Sequence, residues 1–120
     1  MAGQYQAALA HIAEARRLAE ATQERWTQAE TVRLRGDVLL AMCDRAGAEA
    51  GYREAITIAQ RQSAKLWELR AATSLARLWH DQGNRSAARD LLVPIYGWFT
   101  EGRGTPVLHE AKALLDELAA

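Results

Sequence analysis

Cysteine occurs once in this 120-residue chain, as Cys43, so an internal disulfide and a multi-cysteine zinc site are both excluded. Proline is almost as scarce, with Pro94 and Pro106 alone. β-branched residues are sparse and never alternate with polar ones over a strand length, which argues against a sheet. Neither sign of charge prevails: Lys and Arg total 15, Asp and Glu total 15. A balanced chain offers no electrostatic footprint for nucleic acid or an anionic membrane, so neither is expected as a partner. No apolar run approaches the roughly 20 residues that a membrane-spanning helix needs. The start, Met1-Ala2-Gly3-Gln4, has neither a basic nor an apolar segment, and Ala2 stands where myristoylation would require glycine. No leader is expected, and with one cysteine the expected setting is a reducing cytoplasm.

What is abundant points one way. Alanine makes up about a fifth of the chain, and Leu, Glu, Gln and Arg supply much of the rest. These are the strongest helix formers, so the expected class is all-α, and 13.3 kDa admits one domain. Lys65 and Lys112 are the only lysines, a bias that suits a GC-rich bacterial genome better than a function.

The chain repeats itself. Ala8, Ala48 and Ala88 lie 40 residues apart. Each is followed four places on by a large residue (Ile12, Tyr52, Leu92) and three further by Ala15, Ala55 or Ile95. Steps of four and three keep all three side chains on one helical stripe. The small residue admits a neighbouring backbone and the large one fills the groove beyond. Upstream of each stripe a second helix is expected, with Arg35, Gly36, Leu39, Met42 and Cys43 matching Leu75, Ala76, Trp79, Gln82 and Gly83. Gly83 suits a left-handed helix end, and Asp44 and Asn84 suit N-caps.

This pattern resembles the tetratricopeptide repeat, whose signature is W-x-x-L-G-x-x-Y…A…F…A…P. Ala72, Leu75, Ala76, Trp79, Ala88, Leu92 and Ile95 occupy its places in one repeat, with Thr100 in place of the proline. Val32, Arg35, Gly36, Leu39, Ala48, Tyr52 and Ala55 occupy them in the other, where Arg35 departs from the pattern. The 40-residue length exceeds the family's usual 34. It is similar to the long repeats at the C-terminal ends of bacterial LuxR-type and cyclase-like ATPase regulators. The stretches Trp67–Leu78 and Tyr96–Gly102 are similar in wording to that subset.

The expected architecture is a tetratricopeptide-like solenoid of about six antiparallel helices. A half repeat spans 1–22, full repeats span 23–62 and 63–102, and a capping helix spans 103–120. Helices are expected near 4–20, 25–42, 45–61, 64–82 and 85–99. A last one runs from Pro106 to Leu118, behind Thr105 as N-cap. Pro94 predicts a kink in the fifth. The opening half repeat suggests the C-terminal piece of a longer regulator. HEAT-like repeats are the competing fold of similar period.

Catalytic constellations are lacking, and neither an enzyme nor a cofactor is expected. His11, His80 and His109 have no metal-ligand spacing. Gly102-Arg103-Gly104 follows no strand and lacks the Lys-Ser/Thr of a phosphate loop. Cys43 reads as a small buried residue and Trp79 as core. The resemblance instead implies a non-catalytic interaction module whose concave face is lined by the first helix of each repeat. Helical phase places Glu30, Arg33 and Asp37 there from one repeat, beside Leu34 and Leu40. From the next come Arg70, Thr73, Arg77 and His80, beside Ser74. Arg70 and Arg77 stand two turns apart on one stripe and suit a protein or peptide with acidic groups. The family's chaperone-binding clamp needs an Asn where Asp37 stands, so that partner is not expected. The alternative is self-association through an apolar face of the first helix carrying Leu9, Ile12 and Leu18.

Overall fold

Three short loops set the course of the chain, and all three are built alike. They are Met42-Cys43-Asp44, Gln62-Ser63-Ala64 and Gln82-Gly83-Asn84, with their central residues at φ 65°, 54° and 85°. In each, the third residue's N–H reaches back to a carbonyl in the last helical turn: Asp44 to Leu39, Ala64 to Ala59 and Asn84 to Trp79, all 2.8 Å. The central N–H bonds Leu40, Gln60 or His80 at 2.9–3.1 Å. This is a Schellman ending, which satisfies carbonyls that a helix end leaves open and turns the chain sharply back. Glycine adopts the left-handed conformation freely at position 83, whereas cysteine and serine carry a steric cost at 43 and 63. Cys43 is therefore not the buried residue expected: the left-handed turn holds it exposed.

The computed structural model describes residues 2–22, 28–100 and 105–119. Among them are six helices: α1 Ala2–Thr22, α2 Gln28–Ala41, α3 Arg45–Arg61, α4 Lys65–Asp81, α5 Arg85–Gly97 and α6 Pro106–Ala119. The described residues contain no strand, and the all-α expectation holds. Asp44 caps α3 by accepting the Gly47 N–H at 2.9 Å. Asn84 sits at the N-cap of α5, yet its side chain makes no cap bond. The α5 helix runs on through Pro94, whose ring lies on the solvent side. The glycines at 102 and 104, residues 23–27 with Trp26, and the side chain of Leu18 lie outside the described residues.

Helices pack as successive antiparallel neighbours, and α2 also meets α4, as α4 meets α6. So α2, α4 and α6 form an inner row, with α3 seated against α2 and α4, and α5 against α4 and α6. The helix at the centre, α4, buries Leu69, Ala71, Ala72, Leu75, Ala76 and Leu78. The expected small-large stripe is buried in α3 and α5 but not in α1, where Ala8 and Ile12 are half-buried and Ala15 is exposed. Ala48 and Ala88 are fully buried, with Tyr52 and Leu92 beside them in the core. At the α2–α3 crossing, Gly36 and Gly51 let the backbones meet. A Cβ on Gly51 would stand 3.3 Å from the Gly36 Cα.

Trp79 departs from expectation. It is half-buried at the rim of the core rather than within it. Its indole N–H donates to Glu49 at 2.9 Å, and the Arg53 guanidinium lies 5.1 Å from its ring centre. That hydrogen bond holds the Glu49 carboxyl below the usual carboxylate range; slight burial opposes it and Arg53 adds to it.

Candidate binding groove

The inner row encloses a polar groove. Two adjoining cavities of about 270 and 200 Å³ run along α4, between α2 and α6. Arg33, Asp37, Ser74 and Glu110 line both. Between Arg70 and Asp81 the groove follows about 16 Å of helix, room for roughly five residues of extended chain.

Arg33 is the fixed point. It is only 8% exposed, although it is charged. Its Nε and Nη2 donate to the Glu30 carboxylate, at 3.1 Å from Nε and 2.5 Å from Nη2. Its Nη1 donates to Asp37 at 3.0 Å and to the Ser74 hydroxyl at 3.4 Å. Burial works against the charge, but Glu30 and then Asp37 outweigh it and hold the guanidinium above its usual pKa. The second oxygen of Asp37 accepts the Tyr52 hydroxyl at 2.5 Å. Burial, then the bond to Asp37, pushes the Tyr52 phenol well above the ordinary tyrosine range. The result is a continuous network from α2 through α3 to α4.

The other expected residues have mixed fates. Arg70 and Arg77 face the groove as predicted, each with a carboxylate already in place: Glu30 at 3.4 Å for Arg70, Glu110 at 3.3 Å for Arg77. His80 stands 3.9 Å from Glu117. Thr73 lines the larger cavity but is 5% exposed, and its hydroxyl donates to the Leu69 carbonyl at 2.8 Å. It is a packing residue there, because a threonine inside a helix readily bonds the carbonyl four places back. Leu34 is 42% exposed, and Leu40 lines the smaller cavity. Of the face expected to be apolar and open on α1, Leu9 packs against the core and Ile12 is half-buried.

Sequence reasoning missed the third wall. Glu110 and Val107 come from α6, and Asp81 from the end of α4. The signal was present in the 40-residue period. Glu30, Arg70 and Glu110 are spaced by 40, as are Asp37, Arg77 and Glu117. Each triplet runs negative, positive, negative across α2, α4 and α6.

Among the described residues, no three His, Cys, Asp or Glu side chains are grouped to hold a metal ion. None of the described helices is long and apolar enough to cross a membrane. No family model, no curated protein and no solved structure matches the chain.

Proposed function

We propose that this chain is a non-catalytic interaction module that holds a segment of a partner protein in the α2–α4–α6 groove. The observation that carries the reading is the Arg33–Glu30–Asp37–Tyr52–Ser74 network beneath that groove. Buried charge is costly, and a fold needing only stability would fill such a site with apolar side chains at least as well. A rigid polar floor instead limits the ordering that binding requires. The tetratricopeptide-like pairing of helices supports the same reading, since successive first helices line one shared face. Within it, the chain is the tetratricopeptide-type part of a bacterial, cytoplasmic signalling or transcriptional regulator, acting as a scaffold.

Selection of random dodecapeptides displayed on phage tests this. Ser74 borders both cavities, so Ser74→Trp would fill the groove with an indole. Peptides selected on the parent are expected to lose binding to Ser74→Trp while its circular dichroism and melting stay cooperative. Equal binding to both proteins, or no selected peptide at all, would defeat the proposal.

A further inference from the structure

The chemistry of the occupant is written in the pairing of the groove's charges. The carboxylates of Asp37, Asp81 and Glu110 line its cavities beside the guanidinium groups of Arg33, Arg70 and Arg77, and Glu30 pairs with Arg33 and Arg70. Every guanidinium has a carboxylate within 3.4 Å. An acidic ligand would have to displace Glu30 or Glu110 and leave that group without its partner. A basic ligand meets no such obstacle. Asp81 is exposed, borders the smaller cavity, and has neither ion pair nor hydrogen bond among the described residues. It is also the last residue of α4, where the helix's carbonyl end already concentrates negative potential. An acid is disfavoured at that point unless a cation joins it.

The same cavity supplies the rest of a basic side chain's requirements. Leu40, Leu78 and Tyr52 line it together with Asp81, while Arg33 and Arg77, which share the lining, are already paired with Glu30 and Glu110. Apolar surface beside an unpaired acid suits a lysine or arginine, whose methylene stem lies on apolar surface while its head stays at the polar edge.

We infer that the groove recognises an extended partner segment bearing a lysine or arginine, whose stem lies over Leu40 and Leu78 and whose cationic head pairs with Asp81. This inference rests on the groove being the binding face. It commits to a basic protein segment; acidic and neutral segments are alternative outcomes of the test.

The experiment uses dodecapeptides selected on the parent chain, restricted to those that Ser74→Trp no longer binds. The expected result is enrichment of Lys or Arg at one position. Asp81→Asn should then weaken a synthetic enriched peptide about threefold to fivefold, the scale of an exposed ion pair. Replacing the peptide's basic residue with norleucine should cause a similar loss, and the two changes together should cost little more than either alone. Asp90→Asn, on the exposed side of α5, should leave affinity unchanged. Groove-dependent peptides that are acidic or neutral, or that bind Asp81→Asn as tightly as the parent, would overturn the basic-ligand inference and leave the groove reading standing. Selected peptides indifferent to Ser74→Trp would sink both.

Discussion

Replacing Gly36 with alanine tests the contact on which the groove's floor is built. In an exposed helix interior this change is favourable, by about 0.8–1 kcal/mol, because alanine is the better helix former. Here the added methyl would stand 2.7 Å from Tyr52 Cε1, 2.9 Å from Cδ1 and 3.3 Å from the Ala48 carbonyl oxygen. The ring has no room to retreat, for Tyr52 is 1% exposed and its hydroxyl is tied to Asp37 at 2.5 Å. Overpacking of this kind costs about 1–3 kcal/mol. Swinging the ring away would break a hydrogen bond to a charged acceptor, a further ~1.5–3 kcal/mol. After the propensity gain, overpacking alone leaves a net loss of up to about 2 kcal/mol, and a broken Tyr52–Asp37 bond raises the loss to about 1.5–5 kcal/mol. Urea denaturation followed by circular dichroism measures it as a lowered midpoint at unchanged slope. Gly97→Ala serves as the control, since a Cβ there meets nothing within 4 Å. It should be neutral or slightly stabilising. If Gly36→Ala matches or exceeds the parent, the close packing of α2 on Tyr52 is wrong.

Arg33→Ala should cost about 2–3 kcal/mol, by removing a buried side chain together with its charge-assisted bonds to Glu30 and Asp37. Arg70→Ala and Arg77→Ala, whose side chains are 42% and 46% exposed, should each cost no more than about 1 kcal/mol. Denaturation curves ranking Arg33→Ala level with Arg77→Ala would contradict the assignment of Arg33 as the fixed point. Tyr52 predicts an alkaline dependence. Its phenol is raised in the folded state, so its stabilising contribution is complete below the ordinary tyrosine pKa of 10.0 and declines as pH rises above it. Tyr52→Phe should flatten that decline between about pH 10 and 11; a difference curve without slope would show that the phenol titrates normally.

The helices were legible because their ends carry local signals. Asp44 has the side chain to cap α3, Gly83 the freedom to end α4, and Thr105-Pro106 the features of a helix start. The Ala48–Tyr52 and Ala88–Leu92 stripes were legible because a helical face must repeat every three or four residues. The break at Ser63 was legible but its left-handed turn was not, since serine advertises none and only the bonds to Ala59 and Gln60 reveal it. Helical phase placed Arg33 on the right face but could not show its burial. That depends on Asp37 and Tyr52, joined from two helices, and on Ser74 arriving from a third. Trp79 misled for a related reason: its polar partner Glu49 lies 30 residues away in sequence. The wall contributed by α6 was obscured because its apolar residues do not follow the repeat signature, although Glu110 keeps the charge register of Glu30 and Arg70.

The inner row of helices is the proposed binding surface. Amide chemical shifts of the ¹⁵N-labelled chain, followed during titration with a selected dodecapeptide, test it most directly. Shifts should concentrate at Arg33–Leu40 on α2, Arg70–Asp81 on α4 and Val107–Glu110 on α6, with exposed Val93 on α5 and Trp98 just beyond it unmoved. Shifts gathered on α1 or on the outer faces of α3 and α5, with the inner row silent, would contradict it.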